Sequence, residues 1–201
     1  RLGNGLAPLE PGETDTVIIA GMGGDLICKI LKAKPEFLIE GKEFILQPQS
    51  EWFKIRRLLK EYRYQIEKEW FLKEDGKYYV IIKAEPAWTQ PQRLKHQQPS
   101  IHEYIKEISE TPANQAVSEK DMESIYEQYG KYLIETKNPV LKEYLEKEIT
   151  KKESIATELK QSIKEIESEE LSGKERGNIA KRQRRYQEIQ KEIRDMRKAI
   201  G

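Results

Sequence analysis

Apolar positions along the chain fall into two regimes. Residues 16–21 (TVIIAG) form an unbroken run of apolar or β-branched side chains, the mark of a short buried strand. From Asp25 to Ala33 the spacing changes to that of a helix, with Leu26, Ile27, Ile30 and Leu31 on one face. "EFILQP" (43–48) predicts a second buried strand, stopped by Pro48. Ser50 then stands as an N-cap for the helix "EWFKIRRLLKEY", whose Trp52, Phe53, Ile55, Leu58 and Leu59 recur with helical spacing. Residues 64–85 alternate on both sides of Asp75-Gly76 and predict a hairpin. The order strand, helix, strand, helix, hairpin predicts an α/β sheet with one antiparallel strand, the C-terminal half of a doubly wound sheet.

Further on the pattern changes. "PAWTQPQRLKHQQPS" is rich in proline and polar residues, and residues 87–121 are expected to be a linker or insertion, with a short helix at 100–108. Asn138 followed by Pro139 is a strong helix start. Positions 149, 152, 156, 159, 163 and 166 keep a 3,4 spacing, as do 186, 189, 193, 196 and 200. "LSGKERG" (171–177) separates the two stripes. Residues 122–201 are therefore expected to form a helical domain ending in an antiparallel coiled coil, its tip near Gly173.

Composition adds limits. Of 201 residues, 35% are charged, yet Lys+Arg and Asp+Glu nearly cancel at +1, so charge bears on function only where it segregates. It does so in the helical region. Residues 178–200 carry eight basic and three acidic side chains, and residues 138–170 carry six and nine. "KRQRR" (181–185) is the densest basic cluster, suited to RNA phosphates or to salt bridges within the coil. The single cysteine, Cys28, excludes an internal disulfide. No apolar run reaches the ~18 residues of a membrane span. A cytoplasmic protein without metal is expected.

Gly21, Gly23 and Gly24 mark the junction where the first strand hands over to a helix. In doubly wound sheets ligands sit beyond the carboxyl ends of parallel strands, and glycines there admit positive φ and close approach. A ligand rim and a tight packing turn are both open on this motif, which is not the dinucleotide fingerprint. Gln47 and Gln49 end the next strand on the same rim. Asp25 reads as an acid near a ligand or as an ordinary first-turn acid. Met22 reads as a ligand contact or as core. His96 and His102 lie in the polar segment, and no His–Asp or Cys–His pair suggests acid–base or nucleophilic catalysis.

"GNGL" (3–6), "DTVIIAGMGGDLI", "FILQPQS", "GKYYVIIKAE" and "YGKYLIETKNPVLKEYLEKE" together resemble the bacterial TrmK family, over residues 1–86 and 122–200. That resemblance implies a Rossmann-like class I methyltransferase fold with a C-terminal coiled coil, and transfer of a methyl group from S-adenosylmethionine to N1 of an adenine in tRNA. It implies a cofactor site at Asn4, Gly5, Leu6, Ala20, Gly21, Met22 and Gly23, with Asn4 accepting from the cofactor's adenine amine. The substrate would meet Gln47, Pro48, Gln49 and Tyr79, with a weaker claim for Trp88, and tRNA phosphates would meet Arg182, Arg184 and Arg185. No catalytic acid or base is implied, and a monomer is expected. The family's glycine-rich loop has no counterpart within the chain, which is expected to be inactive alone. Rival readings are a methyltransferase of another RNA and a non-catalytic RNA-binding or coiled-coil adaptor.

Overall fold

The computed structural model describes residues 1–87, 113–167 and 173–201. The chain divides into two compact units, Arg1–Thr136 and Lys137–Gly201.

The first unit is built on a four-stranded sheet in the order β1-β2-β4-β3. Strand β1 (Thr16–Met22) pairs in parallel with β2 (Glu43–Pro48), with Ile18 opposite Ile45 and Ala20 opposite Gln47. The β3 (Tyr64–Glu74) and β4 (Lys77–Pro86) hairpin turns at Asp75 and Gly76, both at positive φ as a tight two-residue turn requires. Strand β4 enters the sheet antiparallel to both β2 and β3. Helices α1 (Gly24–Ala33) and α3 (Trp52–Glu61) pack against each other and cover one face. Beneath them Val17, Ile19, Phe44, Leu46, Val80 and Ile82 are buried with Ile27, Leu31, Ile55 and Leu59.

Several local expectations change. Strand β1 is buried on one face only: Ile18 is 68% exposed. Leu26 is exposed too, so the buried stripe of α1 is narrower than its apolar pattern. A short helix α2 (Pro35–Ile39) starts at Pro35 and buries Phe37 and Leu38. Glu51, at φ 54°, is the N-cap of α3, and Ser50 is not.

Helices α4 (Ala113–Tyr129) and α5 (Lys131–Glu135) belong to the first unit, so the chain divides later than the boundary expected at residue 122. Arg56 accounts for much of this. Its Nε donates to Glu69 Oε1 at 2.7 Å, and its Nη1 donates to the carbonyls of Glu127 and Gln128 at 3.1 and 2.9 Å. A buried guanidinium thus ties α3 to β3 and caps the last carbonyls of α4. Gly130 follows at φ +93°, and a Cβ there would lie 2.4 Å from Glu69 Oε2.

In the second unit, Asn138 Oδ1 accepts the N–H groups of Val140 and Leu141, each at 3.0 Å, and caps α6 (Pro139–Glu167) as expected. Helix α7 (Gly173–Ile200) runs antiparallel to α6, fixed by Lys152–Glu192, Glu153–Arg197 and Ser162–Arg182 contacts. Ile189, Ile193 and Met196 are buried on the predicted stripe. Gly173 to Gly177 are helical, so the expected interruption does not extend through them, and residues 168–172 lie outside the described residues.

The Arg56–Glu69 pair yields a stability prediction. Arg56→Met leaves a buried carboxylate without its cation and should cost about 3–5 kcal/mol near neutral pH, read from urea denaturation. Burial already pushes the Glu69 carboxyl above its ordinary value. A carboxyl whose folded value is raised favours folding at low pH and loses that contribution as pH rises through the folded value. The deficit of Arg56→Met should therefore shrink on acidification towards pH 5.

Candidate functional site

The carboxyl ends of β1 and β2 are laced together by backbone groups. Gly21 sits at φ +78°, where the β1–β2 register is interrupted between Ala20 and Met22. Its N–H donates to Gln47 Oε1 at 2.8 Å. The Gln49 N–H donates to the Met22 carbonyl at 2.8 Å, and the Gly24 N–H to the Ser50 carbonyl at 3.0 Å. A Cβ on Gly24 would lie 2.6 Å from the Glu51 carbonyl oxygen and 2.7 Å from that of Ser50. The glycine cluster thus has two different causes: backbone conformation at Gly21 and close approach at Gly24. Gly23 has ordinary extended backbone, and a Cβ on it would meet only Ser50 Oγ, at 3.2 Å, so neither cause acts strongly there.

Charged groups brace the same junction. Lys54 Nζ lies 3.0 Å from Asp25 Oδ1 and 2.6 Å from Glu51 Oε1, and Lys29 lies 2.8 Å from Asp25. Hydrogen bonds from Lys29 and then Lys54 hold the Asp25 carboxyl below its usual range. This is the first-turn acid reading. Cys28 is half-buried, its thiol donating to the Lys54 carbonyl at 3.5 Å, and burial pushes its pKa up, unlike a poised nucleophile.

A cavity of about 400 Å³ lies against β1. It brings Gly5 and Leu6 together with Ala20 and Met22; Asn4, Gly21 and Gly23 are outside its lining. Gly5, at φ +56°, packs so close to Ile30 that a Cβ would fall 2.9 Å from Cγ2. Asn4 is exposed, and its carbonyl closes a turn with the Ala7 N–H at 3.1 Å. Thr14 also lines the cavity, and its buried Oγ1 has no hydrogen-bond partner among the described residues. Nothing in the sequence marked Thr14, a lone hydroxyl just before the strand.

The expected substrate residues separate. Pro48 is buried at the end of β2, and Gln49 is exposed on the rim. Gln47 spends Oε1 on Gly21, and its buried Nε2 has no partner among the described residues. Tyr79 pairs across the hairpin with Leu72. Leu46 faces Ile82, so Tyr79 lies past the end of β2, on the sheet face left open by α1 and α3. Arg182 donates to Ser162 Oγ at 2.7 Å, and Arg185 pairs with Glu188 and Glu192 at 3.2 and 3.3 Å. Arg184 is exposed and, by helical spacing, shares with Lys191 and Arg194 the side of α7 opposite Ile189, Ile193 and Met196. Trp88, His96 and His102 lie outside the described residues. Elsewhere on the sheet, Glu43, Glu67 and Glu85 surround Lys83 Nζ at 2.9, 2.8 and 3.2 Å, so an ammonium fills that acidic cluster. Among the described residues, no helix is long and apolar enough to cross a membrane.

A parallel pair ending in a glycine-laced rim, extended by an antiparallel hairpin, is part of a Rossmann-like sheet. The family model "TrmK: tRNA (adenine(22)-N(1))-methyltransferase" matches residues 1–111, and the chain belongs to that family. It is 44% identical over 85 residues to the tRNA (adenine(22)-N(1))-methyltransferase of Bacillus subtilis, a match covering 42% of this chain and 36% of that relative. The chain thus spans little more than a third of the curated relative's length. The crystal structure of the B. subtilis M1A22 tRNA methyltransferase TrmK is similar with a TM-score of 0.65 at 24% identity, covering 100% of this chain and 69% of that one. The structure of Streptococcus pneumoniae Sp1610, described as a putative tRNA (m1A22) methyltransferase in complex with S-adenosyl-L-methionine, gives a TM-score of 0.57 at 23% identity, covering 100% and 67%.

The junction's two glycine requirements predict different mutational costs. Gly24→Ala pushes a methyl group into two backbone carbonyls and should destabilise the first unit by about 1–3 kcal/mol. Gly23→Ala, with only the Ser50 hydroxyl to displace, should cost less than about 1 kcal/mol. Thermal and urea denaturation of the two variants measure the contrast.

Proposed function

We propose that this chain forms the substrate-side part of an S-adenosylmethionine-dependent methyltransferase that modifies N1 of adenine 22 in tRNA, in the cytoplasm. Family membership carries the reading, and the rim at Gly21–Gly24 supports it because ligands of doubly wound sheets sit at such strand ends. The cavity on β1 suits the cofactor's nucleoside part, with apolar walls from Leu6 and Ile19 and an orphaned hydroxyl on Thr14. Asn4, Gly5, Leu6, Ala20, Gly21, Met22 and Gly23 remain its proposed surroundings, to which Thr14 is added.

When bound, S-adenosylmethionine supplies an electrophilic methyl group. Adenine N1 offers an in-plane lone pair and no proton, so this chain has no proton to remove. Its task is to hold the base in line and to tolerate a cationic product. The fixed backbone of the rim suits positioning, since its polar groups are already engaged with one another. The second unit is proposed as a coiled coil that binds tRNA backbone through the exposed ridge Arg184, Lys191 and Arg194.

Nucleoside mass spectrometry of tRNA from cells with and without the full-length protein tests the activity. Loss of 1-methyladenosine from tRNA, restored by the gene, is expected; an unchanged level would overturn the reading and favour a non-catalytic adaptor.

The ridge has its own test, in tRNA affinity measured across a salt series. Replacing Arg184, Lys191 and Arg194 with Gln should weaken binding and reduce the log–log salt slope by roughly two to three. Replacing Arg182 and Arg185, both engaged within the unit, should change the slope less.

A further inference from the structure

The β3–β4 hairpin reaches past the strand ends. Strand β2 stops at Pro48 and pairs with β4 through Phe44, Ile45 and Leu46, whereas β3 and β4 stay paired as far as Glu74 and Lys77. The overhang is about 10 Å, at roughly 3.4 Å per residue. On it Leu72 and Tyr79 lie directly opposite each other. Pairing across the sheet puts them on the same face as Ile45 and Gln47, away from α1 and α3. Leu72 is 46% exposed, a large apolar side chain held in water beside an aromatic ring at the rim.

We propose that Leu72 and Tyr79 form a platform on which the unpaired target adenine of the RNA stacks; this rests on the function proposed above. The occupant follows from the chemistry at hand. A base methylated at N1 must present its Watson–Crick edge unobstructed, so it is best gripped by its π-face. The amide on this face at the end of β2, Gln47, is engaged on one side only: Oε1 accepts from Gly21, and the buried Nε2 has no partner among the described residues. Through Oε1 Gln47 positions the glycine junction, and the surface this face offers to the flat of a base is the Leu72–Tyr79 pair. The ring face of a tyrosine with a neighbouring aliphatic side chain stacks on a base through its π-face and leaves the in-plane N1 lone pair free.

The test uses the full-length protein with Leu72→Ala, Tyr79→Ala and Tyr79→Phe. Methyl transfer to tRNA is measured alongside fluorescence of a single-stranded oligoribonucleotide carrying 2-aminopurine. Each alanine variant should lower kcat/KM at least fivefold and abolish fluorescence quenching on binding, with an unchanged melting temperature. Tyr79→Phe, which keeps the ring, should retain both signals. Unchanged kcat/KM and quenching in both alanine variants would overturn the platform and leave the methyltransferase reading standing. If the wild-type protein methylates no tRNA, the functional reading fails, and quenching by wild type against Tyr79→Ala still decides the platform. If Leu72→Ala instead converts a sedimenting dimer to monomer without altering quenching, the patch serves a second copy and the proposal is wrong.

Discussion

The first unit depends on how closely two βα junctions approach each other. The Gly24 N–H reaches the Ser50 carbonyl at 3.0 Å, while the Gly21 N–H reaches the Gln47 side chain. Both bonds require that the carboxyl ends of β1 and β2 lie side by side and that no side chain intervene at Gly24. Everything on the rim takes its position from that approach. The β1 bulge sets Met22, the Glu51 turn starts α3, and the Lys54–Asp25–Glu51 group ties α3 back to α1. Exposed ion pairs of this kind are individually weak, typically below about 1 kcal/mol. The backbone bonds give the junction its geometry, and the ions follow it.

A second constraint acts through Arg56 and Glu69. The ion pair is almost fully enclosed, and burial disfavours the charged carboxylate even beside its partner. Such a pair adds little net stability compared with apolar packing, but it specifies which helix can dock. Only a helix ending at a glycine leaves room for Glu69 Oε2 and presents its last carbonyls to the guanidinium. Helix α4 meets both conditions through Gly130, which is why it belongs with the sheet although its composition resembles that of the helices that follow.

Those two constraints explain what was legible in the sequence. The strands, the hairpin with its Asp75-Gly76 turn, and the Asn138 cap were readable because each follows from local chemistry: β-branching, a positive-φ pair, a side-chain acceptor. The glycines at 21 and 24 were readable as a demand, but not which demand each one met. Arg56 was invisible, because an arginine on an amphipathic helix is ordinarily a solvent residue, and its burial depends on Glu69 and on a helix more than seventy positions away. The arginines at 182 and 185 show the converse. A basic run shows charge, and only the opposing helix and the i+3 and i+7 neighbours show which charges are spoken for. Thr14 and Leu72 carried no local signal at all.

The faint sequence signature of the rim follows from the chemistry proposed for it. A reaction that removes a proton from its acceptor selects a base of tuned pKa, and a site of that kind announces itself as a pair of titratable side chains. Attack by a free lone pair on a methyl group needs no proton carrier, so alignment is what the protein has to supply. Alignment is set by backbone conformation, by N–H groups aimed at fixed acceptors, and by flat apolar surface. On the proposed reading, glycines, a glutamine and an aliphatic–aromatic pair are how those requirements appear in a sequence. They are common residues with common structural uses, and they acquire meaning only when the fold sets Gly21, Gln47, Leu72 and Tyr79 at the same carboxyl rim.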